Sequence, residues 1–333
     1  EVYAGFPVST VGEGANIMTR NLIIFGQGVM RAHPYVREEI MAAVNEQDDA
    51  VSLRGFDRAF FRHLGLAVSS WVRGVSFAWL PFMRVGVPAS ALSRHIQLIN
   101  RFSNALLLVS DVALICLGKE LKIKESISAR LGDVLSYLYM ATATVKYFHD
   151  HGQRAEEVDF ARWAIGYCLY HAARSLKLFF DNFSHRVLAR LMKAVLFPFG
   201  LDLAYPNDRL GFQLADAISS PGDMRDRLTA WCFVGSQAAD PVGRVNSAWH
   251  AVMAVEPLML KVNEAIRRKV IARGLTRFES IESALKAGVV DQSEFEQLVS
   301  AEAQRDAALS VDEFAFDELL RFNAEVFEQA NVE

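Results

Sequence analysis

The sequence predicts an all-α fold built around a helical bundle. In the segment that begins at Ser126, apolar residues recur at steps of three and four, which places them on one face of a helix. They are Ile127, Leu131, Val134, Leu135, Leu138, Val145 and Phe148. Similar stripes run through residues 160–180 and 241–270. No segment shows the sustained two-residue alternation, bounded by an Asn-Gly or Asp-Gly turn, that indicates a β-hairpin.

Composition excludes several classes of protein. The chain has 333 residues, of which 52% are hydrophobic and 22% charged, so it holds ample material for one large or two smaller helical units. The formal net charge is −4, which argues against a nucleic-acid partner, because such proteins carry a strongly basic face. Cys116, Cys168 and Cys232 are few and far apart, and we expect them to be core residues of a reduced, cytoplasmic protein.

The first element with chemical interest is a loop in which Glu13 stands between Gly12 and Gly14, followed by a helix that runs through Ile24. Glycines let a backbone approach a small molecule closely, and a helix start offers free N–H groups. A carboxylate in this position is a candidate catalytic group. The alternative is an ordinary surface loop whose glutamate is solvated near a helix start, where the helix dipole favours it.

Three apolar segments follow. The aromatic stretch at 71–82, WVRGVSFAWLPF, is expected to be buried, with a dimer contact as the alternative. The stretch at 102–118 is too short for a membrane span and carries Asp111, so we expect a buried bundle helix. The segment at 186–200 sets basic residues among apolar ones, which is typical either of a bundle helix with a solvated stripe or of a helix that lies on an anionic membrane.

No metal site is expected. The sequence His149-Asp150-His151 resembles a ligand cluster, but two histidines two residues apart at a helix end point to different faces.

The last third of the chain carries local signals for helix ends. Residues 198–237 are rich in Gly, Pro and Asp and are a candidate boundary between a central bundle and a C-terminal helical segment. Further on, Asp291 stands three residues before Glu294, and Ser310 three before Glu313, which is the spacing of a capping box. Gly288 fits the end of the preceding helix.

Ordered similarity to one family extends over nearly the whole chain. The segment GEGANIMTR (12–20) and its continuation at 21–36 resemble the long bacterial acyl-CoA dehydrogenases of fatty-acid β-oxidation. The segments at 106–148, 182–200, 241–257 and 288–314 are similar to the C-terminal extension of the same enzymes. The chain departs from the wider family's aromatic-Glu-Gly-Thr motif at Gly12 and Ala15.

The resemblance implies flavin-dependent oxidation of a medium- or long-chain acyl-CoA to trans-2-enoyl-CoA. Glu13 would remove the α-proton, Gly14 would line the substrate, and FAD would touch Ala15, Asn16 and Ile17. Residues 1–33 would complete the catalytic helical domain, and residues 34–333 would form the extension.

The chain starts at Glu1 rather than Met, and we expect the family's N-terminal and middle domains to be missing upstream, so that the chain alone is inactive. The resemblance also implies an electron-transferring flavoprotein as acceptor, a homodimer, and a cytoplasmic location with peripheral contact with the inner membrane. The alternative function is a catalytically silent helical module for protein interaction or membrane association.

Overall fold

The computed structural model describes residues 18–28, 33–44, 49–79, 87–233 and 240–311, and every regular element in these ranges is a helix. This confirms the predicted all-α class. The division between two compact units falls between Ala215 and Asp216.

The first unit is organised around two long helices that pack side by side. In chain order its helices are α1 (Thr19–Gln27, with π-helical hydrogen bonding), α2 (Val36–Val44), α3 (Asp49–Trp79), α4 (Ser93–Leu117), α5 (Glu125–Asp150), α6 (Val158–Asn182), α7 (Arg186–Leu196) and α8 (Asp208–Ser219), the last of which extends over the division. Short 3₁₀ turns at Gly118–Lys122 and Ala155–Glu157 join α4 to α5 and α5 to α6. The most extensive pairing is α5 with α6, and α1, α4 and α7 pack around this pair.

The core of the first unit follows the predicted periodicity. On α5 the apolar positions Ile127, Leu131, Val134, Leu138 and Phe148 are buried, while Leu135 and Val145 are partly buried. Phe179 and Phe183 from the end of α6 are fully buried and stack with ring centroids 5.0 Å apart.

Helix α4 is the expected bundle helix. One stripe, formed by Phe102, Ala105, Val109, Ala113 and Leu117, is buried against the rest of the core. Among the described residues, α4 with the turn that follows is the one helix long and apolar enough to cross a membrane by length and composition. The core helix of a folded domain meets the same criterion, and one stripe of α4 is buried as such a helix requires.

The aromatic stretch that begins at Trp71 is buried only in part, and this corrects the expectation from the sequence. Trp71, Val72 and Trp79 on α3 are each more than half exposed, while Phe82 lies outside the described residues. The reason is that α3 packs on its neighbours through small residues. At Gly74, an added Cβ would lie 3.3 Å from Leu196 of α7, so the helices approach too closely for a large side chain on that face.

The cysteines were only partly predicted. Cys168 is buried and Cys116 is half-buried, but Cys232 is exposed. Cys232 lies in a turn that follows the short helix α9 (Asp223–Leu228), where no helical face is available to bury it.

The second unit contains α10 (Pro241–Arg267), α11 (Arg277–Lys286) and α12 (Gln292–Leu309), which share a core formed by Val262, Ile281, Leu298 and their neighbours. The Asp291–Glu294 capping box is present at the start of α12, and Gly288 adopts a φ of +67° after α11, so both predictions are confirmed. A second capping box, Thr276 with Glu279, starts α11 and was not predicted. Ser310 follows the end of α12, and its predicted partner Glu313 lies outside the described residues.

Candidate functional site

The residues predicted to act on substrate and cofactor precede the part of the chain that the structure describes. Glu13, Gly14, Ala15, Asn16 and Ile17 all lie outside the described residues, which begin at Met18. What the structure shows is the helix that follows them directly, α1, and how that helix is held.

Helix α1 is fixed to α5 by a two-pronged ion pair. The guanidinium of Arg20 donates from Nε to Asp133 Oδ1 and from Nη2 to Asp133 Oδ2, both at 2.6 Å. This pairing raises the pKa of Arg20, chiefly through the hydrogen bond with Asp133. A second contact joins Asn21 Nδ2 to Glu125 Oε2 at 3.3 Å. A bidentate pair holds orientation as well as distance, so the start of α1 is set by α5.

The same two helices meet at a glycine. A Cβ built on Gly132 of α5 would lie 3.1 Å from the backbone oxygen of Arg20 and 3.6 Å from Cβ of Phe25. Phe25 itself is 1% exposed and belongs to the core of the first unit. The absence of a side chain at position 132 therefore lets the backbone of α1 lie directly against α5.

An apolar groove of about 380 Å³ adjoins this junction. Its walls come from α1, α4 and α5 and include Phe25, Leu106, Leu107, Leu135, Leu138 and Tyr139. The polar residues that line it are His33, Ser103, Ser110 and Thr142. The groove lies beside the helix that carries the predicted loop, and its walls suit an alkyl chain or another apolar segment.

Beside the groove, which His33 lines, a buried cluster brings together residues from three parts of the chain. His33 lies just before α2, His63 is on α3 and Asp111 is on α4. The Nε2 atoms of both histidines lie 3.5 Å from Asp111 Oδ1, and His63 Nδ1 lies 2.9 Å from Glu39 Oε1. The His33 and Asp111 side chains are 4% and 9% exposed. This concentration of polar groups in an apolar core is costly unless each group has a partner.

Some atoms of this cluster have hydrogen-bond partners and others have none. His33 Nδ1 accepts hydrogen bonds from the backbone N–H groups of Tyr35 and Val36, each at 3.2 Å, and so caps the start of α2. His33 Nε2 and both carboxylate oxygens of Asp111 have no hydrogen-bond partner. Burial raises the pKa of Asp111, and its interactions with the nearby His63 and His33 oppose that effect. Burial also lowers the pKa of His33.

This cluster was not predicted from the sequence. Its members are 30 and 48 positions apart, so no local spacing connects them. The one signal in the sequence is Asp111, a carboxylate in the middle of an apolar helix. A buried carboxylate requires a compensating group, and that requirement could have prompted a search for distant histidines.

The histidines predicted not to form a metal site lie elsewhere. His149 and Asp150 are exposed at the end of α5, and His151 stacks on Tyr147 with ring centroids 3.9 Å apart. Within the described ranges, the one group with metal-ligand spacing is His33, His63 and Asp111.

Comparison with known proteins gives one family. The family model for "Acyl-CoA dehydrogenase, C-terminal, bacterial type" matches residues 30–314, which is most of the chain. No solved structure matches the chain. The matched range contains the whole of the buried cluster and begins after the predicted site residues.

Proposed function

This chain belongs to the bacterial-type acyl-CoA dehydrogenase C-terminal family, and we propose from this premise that it is part of a flavin-dependent enzyme that oxidises an acyl-CoA to the trans-2-enoyl-CoA. The observation that carries the proposal is the family match over residues 30–314. The boundary near residue 33, between the end of the catalytic domain and the extension, is part of the proposal.

In the proposed reaction Glu13 removes a proton from the α-carbon of the acyl group. An α-proton of a thioester is weakly acidic, so the base must be positioned closely and the developing oxyanion needs preorganised donors. The resemblance assigns one such donor to the backbone N–H of Glu13. A flavin, when bound, accepts the hydride that leaves the β-carbon. Its proposed contacts, Ala15, Asn16 and Ile17, lie outside the described residues. The proposal that a flavin binds therefore rests on the family alone.

The described residues support a specific role for the extension, which is to position the loop that carries Glu13. Four residues separate Glu13 from the first described residue, Met18. From Arg20 onward, α1 is held by the ion pair with Asp133 and by close packing on Gly132. Misplacing a reacting group by about 1 Å can cost a hundredfold in rate, so an anchor at this distance matters to catalysis.

Substitution of Glu13 in the enzyme with its upstream domains tests the proposal. We expect Glu13→Gln to abolish turnover of an acyl-CoA while the flavin absorbance and stoichiometry stay unchanged, because the amide keeps the size of the side chain but cannot take the proton. Glu38→Gln, an exposed glutamate on α2, is the matched control and should keep full activity. Turnover retained in Glu13→Gln would remove the proposed base.

The alternative function, a catalytically silent interaction module, is supported by one surface. Phe61, Leu64, Val68 and Trp71 on α3 are each about half exposed or more and follow the three-and-four spacing of a helix–helix seam. We propose that a second subunit covers this face, and this role is compatible with the enzyme. Light scattering should show a dimer that Phe61→Glu dissociates. A monomeric native chain would contradict the assignment.

A second surface supports peripheral membrane contact of a cytoplasmic protein. Helix α7 buries Ala189 and Leu196 as a bundle helix does, yet exposes Val187 and Leu191 beside Arg186 and Arg190. A helix with exposed apolar and basic groups can lie on an anionic bilayer. Co-flotation with anionic vesicles that is lost on Arg186→Glu/Arg190→Glu would support this location, and co-flotation that is unchanged would contradict it.

The proposed enzyme also needs an electron acceptor. We propose an electron-transferring flavoprotein, because oxidation of the substrate leaves two electrons on the flavin that must pass to a partner. A purified chain that carries flavin only when the upstream domains are present would favour the enzyme over the silent module.

A further inference from the structure

We propose that His63 Nε2, the Asp111 carboxylate and His33 Nε2 form a binding site for one divalent transition-metal cation of the Zn²⁺ type. The proposal goes beyond the oxidation of acyl-CoA, for which the proposed function assigns these side chains no role. It rests on the unpartnered buried atoms, their spacing, the charge of the cluster and the contact that orients His63.

The spacing fits an ion better than it fits hydrogen bonds. Each imidazole Nε2 lies 3.5 Å from Asp111 Oδ1, which is beyond the usual range of an N–H···O bond. Two ligands that each lie about 2.1 Å from a tetrahedral Zn²⁺ are separated by about 3.4 Å. The three ligand atoms all lie within 4.8 Å of one another, so one ion can reach all of them after small side-chain shifts.

Several buried atoms of the cluster make no hydrogen bond of ordinary geometry, although the two imidazoles lie 3.5 Å from Asp111. His33 Nε2 and both oxygens of Asp111 are inaccessible and make no hydrogen bond. With neutral imidazoles, the carboxylates of Asp111 and Glu39 would give the cluster a charge of −2. A divalent cation would neutralise this charge and bond directly to the Asp111 carboxylate, which offsets the cost of burying it.

The orientation of His63 is the one that a metal ligand requires. Its Nδ1 lies 2.9 Å from Glu39 Oε1, so the ring donates Nδ1–H to a carboxylate and directs the lone pair of Nε2 toward Asp111. A carboxylate that holds the far nitrogen of a histidine is the usual arrangement around protein-bound metal ions.

His33 is the weakest of the three ligands. Its Nδ1 accepts from Tyr35 and Val36, which places the ring proton on Nε2, and that proton must leave before Nε2 can bind a cation. The proton therefore moves to Nδ1, and binding gives up the two hydrogen bonds of 3.2 Å that Nδ1 accepts. His63 and Asp111 carry the ion, His33 completes the site, and remaining positions are open to water.

Calorimetric titration of the chelator-treated 333-residue chain with Zn²⁺ alone tests the site. We expect one Zn²⁺ per chain, a rise in melting temperature and, with Co²⁺ in its place, a visible absorption band. His63→Gln should remove binding. Glu39→Gln, which only releases the far nitrogen of His63, should weaken it about 10–100-fold. The matched control His149→Gln/His151→Gln changes two exposed histidines and should bind as tightly as the native chain.

Two results would overturn the proposal: no stoichiometric Zn²⁺ binding by the native chain, or binding that survives in His63→Gln. Circular dichroism of the metal-free variants checks that they fold. His63 is 19% exposed, so its amide replacement is tolerated more easily than a change at Asp111. Should His63→Gln fail to fold, unaltered Zn²⁺ affinity in Glu39→Gln would refute the site instead. The readout is metal binding, so it does not depend on whether the enzyme proposal holds.

Discussion

The contact between α1 and α5 at Gly132 gives the sharpest test of how the first unit positions its N-terminal helix. The perturbation is Gly132→Ala, which adds one methyl group where a Cβ would lie 3.1 Å from the backbone oxygen of Arg20. Since a backbone atom cannot rotate away as a side chain can, α1 must shift. Overpacking of this kind costs about 1–3 kcal/mol.

Alanine also has a higher helix propensity than glycine, which contributes about 1 kcal/mol in the opposite direction. Gly65→Ala is the matched control, because Gly65 also lies inside a helix, α3, and an added Cβ there meets nothing within 4 Å. The propensity gain is common to both variants and cancels in their difference. We therefore expect Gly132→Ala to be less stable than Gly65→Ala by about 1–3 kcal/mol.

Calorimetry of the two variants measures this difference. For a unit of this size, 1 kcal/mol corresponds to roughly 2–4 °C in melting temperature, so the transitions should differ by roughly 2–12 °C. Hydrogen exchange provides a second readout, because the amides of α1 should exchange faster in Gly132→Ala than in Gly65→Ala. If both variants gain the same stability and α1 keeps its protection, the close approach does not hold α1 and the proposed anchoring is wrong.

Two further predictions concern the second unit. Thr276→Ala removes the side chain that accepts from the backbone N–H of Glu279 in the capping box of α11. It should lower the free energy of unfolding, measured by urea titration, by about 1 kcal/mol. No change in that free energy would mean that the cap is dispensable. Glu302→Gln weakens the charged contacts of a 5%-exposed carboxylate with Arg277 at 2.9 Å and Arg305 at 2.7 Å. It should lower the free energy of unfolding by about 1–3 kcal/mol in the same assay. An unchanged urea midpoint would show that the two ion pairs make no net contribution to stability.

Local sequence patterns were sufficient for helix class and for several helix ends. The stripe on α5, the capping box at Asp291 and the turn at Gly288 were all predicted, because each depends on residues within one or two turns of each other. The family was recognised from ordered similarity over the same segments, and the family match confirms it.

The sequence could not decide which face of α3 is buried. That helix carries both small and large apolar residues, and periodicity alone favours burying the large ones. The structure buries Ala59, Ser70, Gly74 and Ala78 instead. Close approach of α4 and α7 to the small residues leaves Trp71 and its neighbours on the outside.

The sequence by itself determined the helical class, the ends of individual helices and the family, because these depend on short-range spacing and on ordered similarity. Only the tertiary structure decided which helices and which side chains contact each other. His33, His63 and Asp111 meet because α2, α3 and α4 converge, and α1 is held because Gly132 and Asp133 face it across more than a hundred residues of chain. Contacts between distant residues arise from packing, which no local pattern encodes.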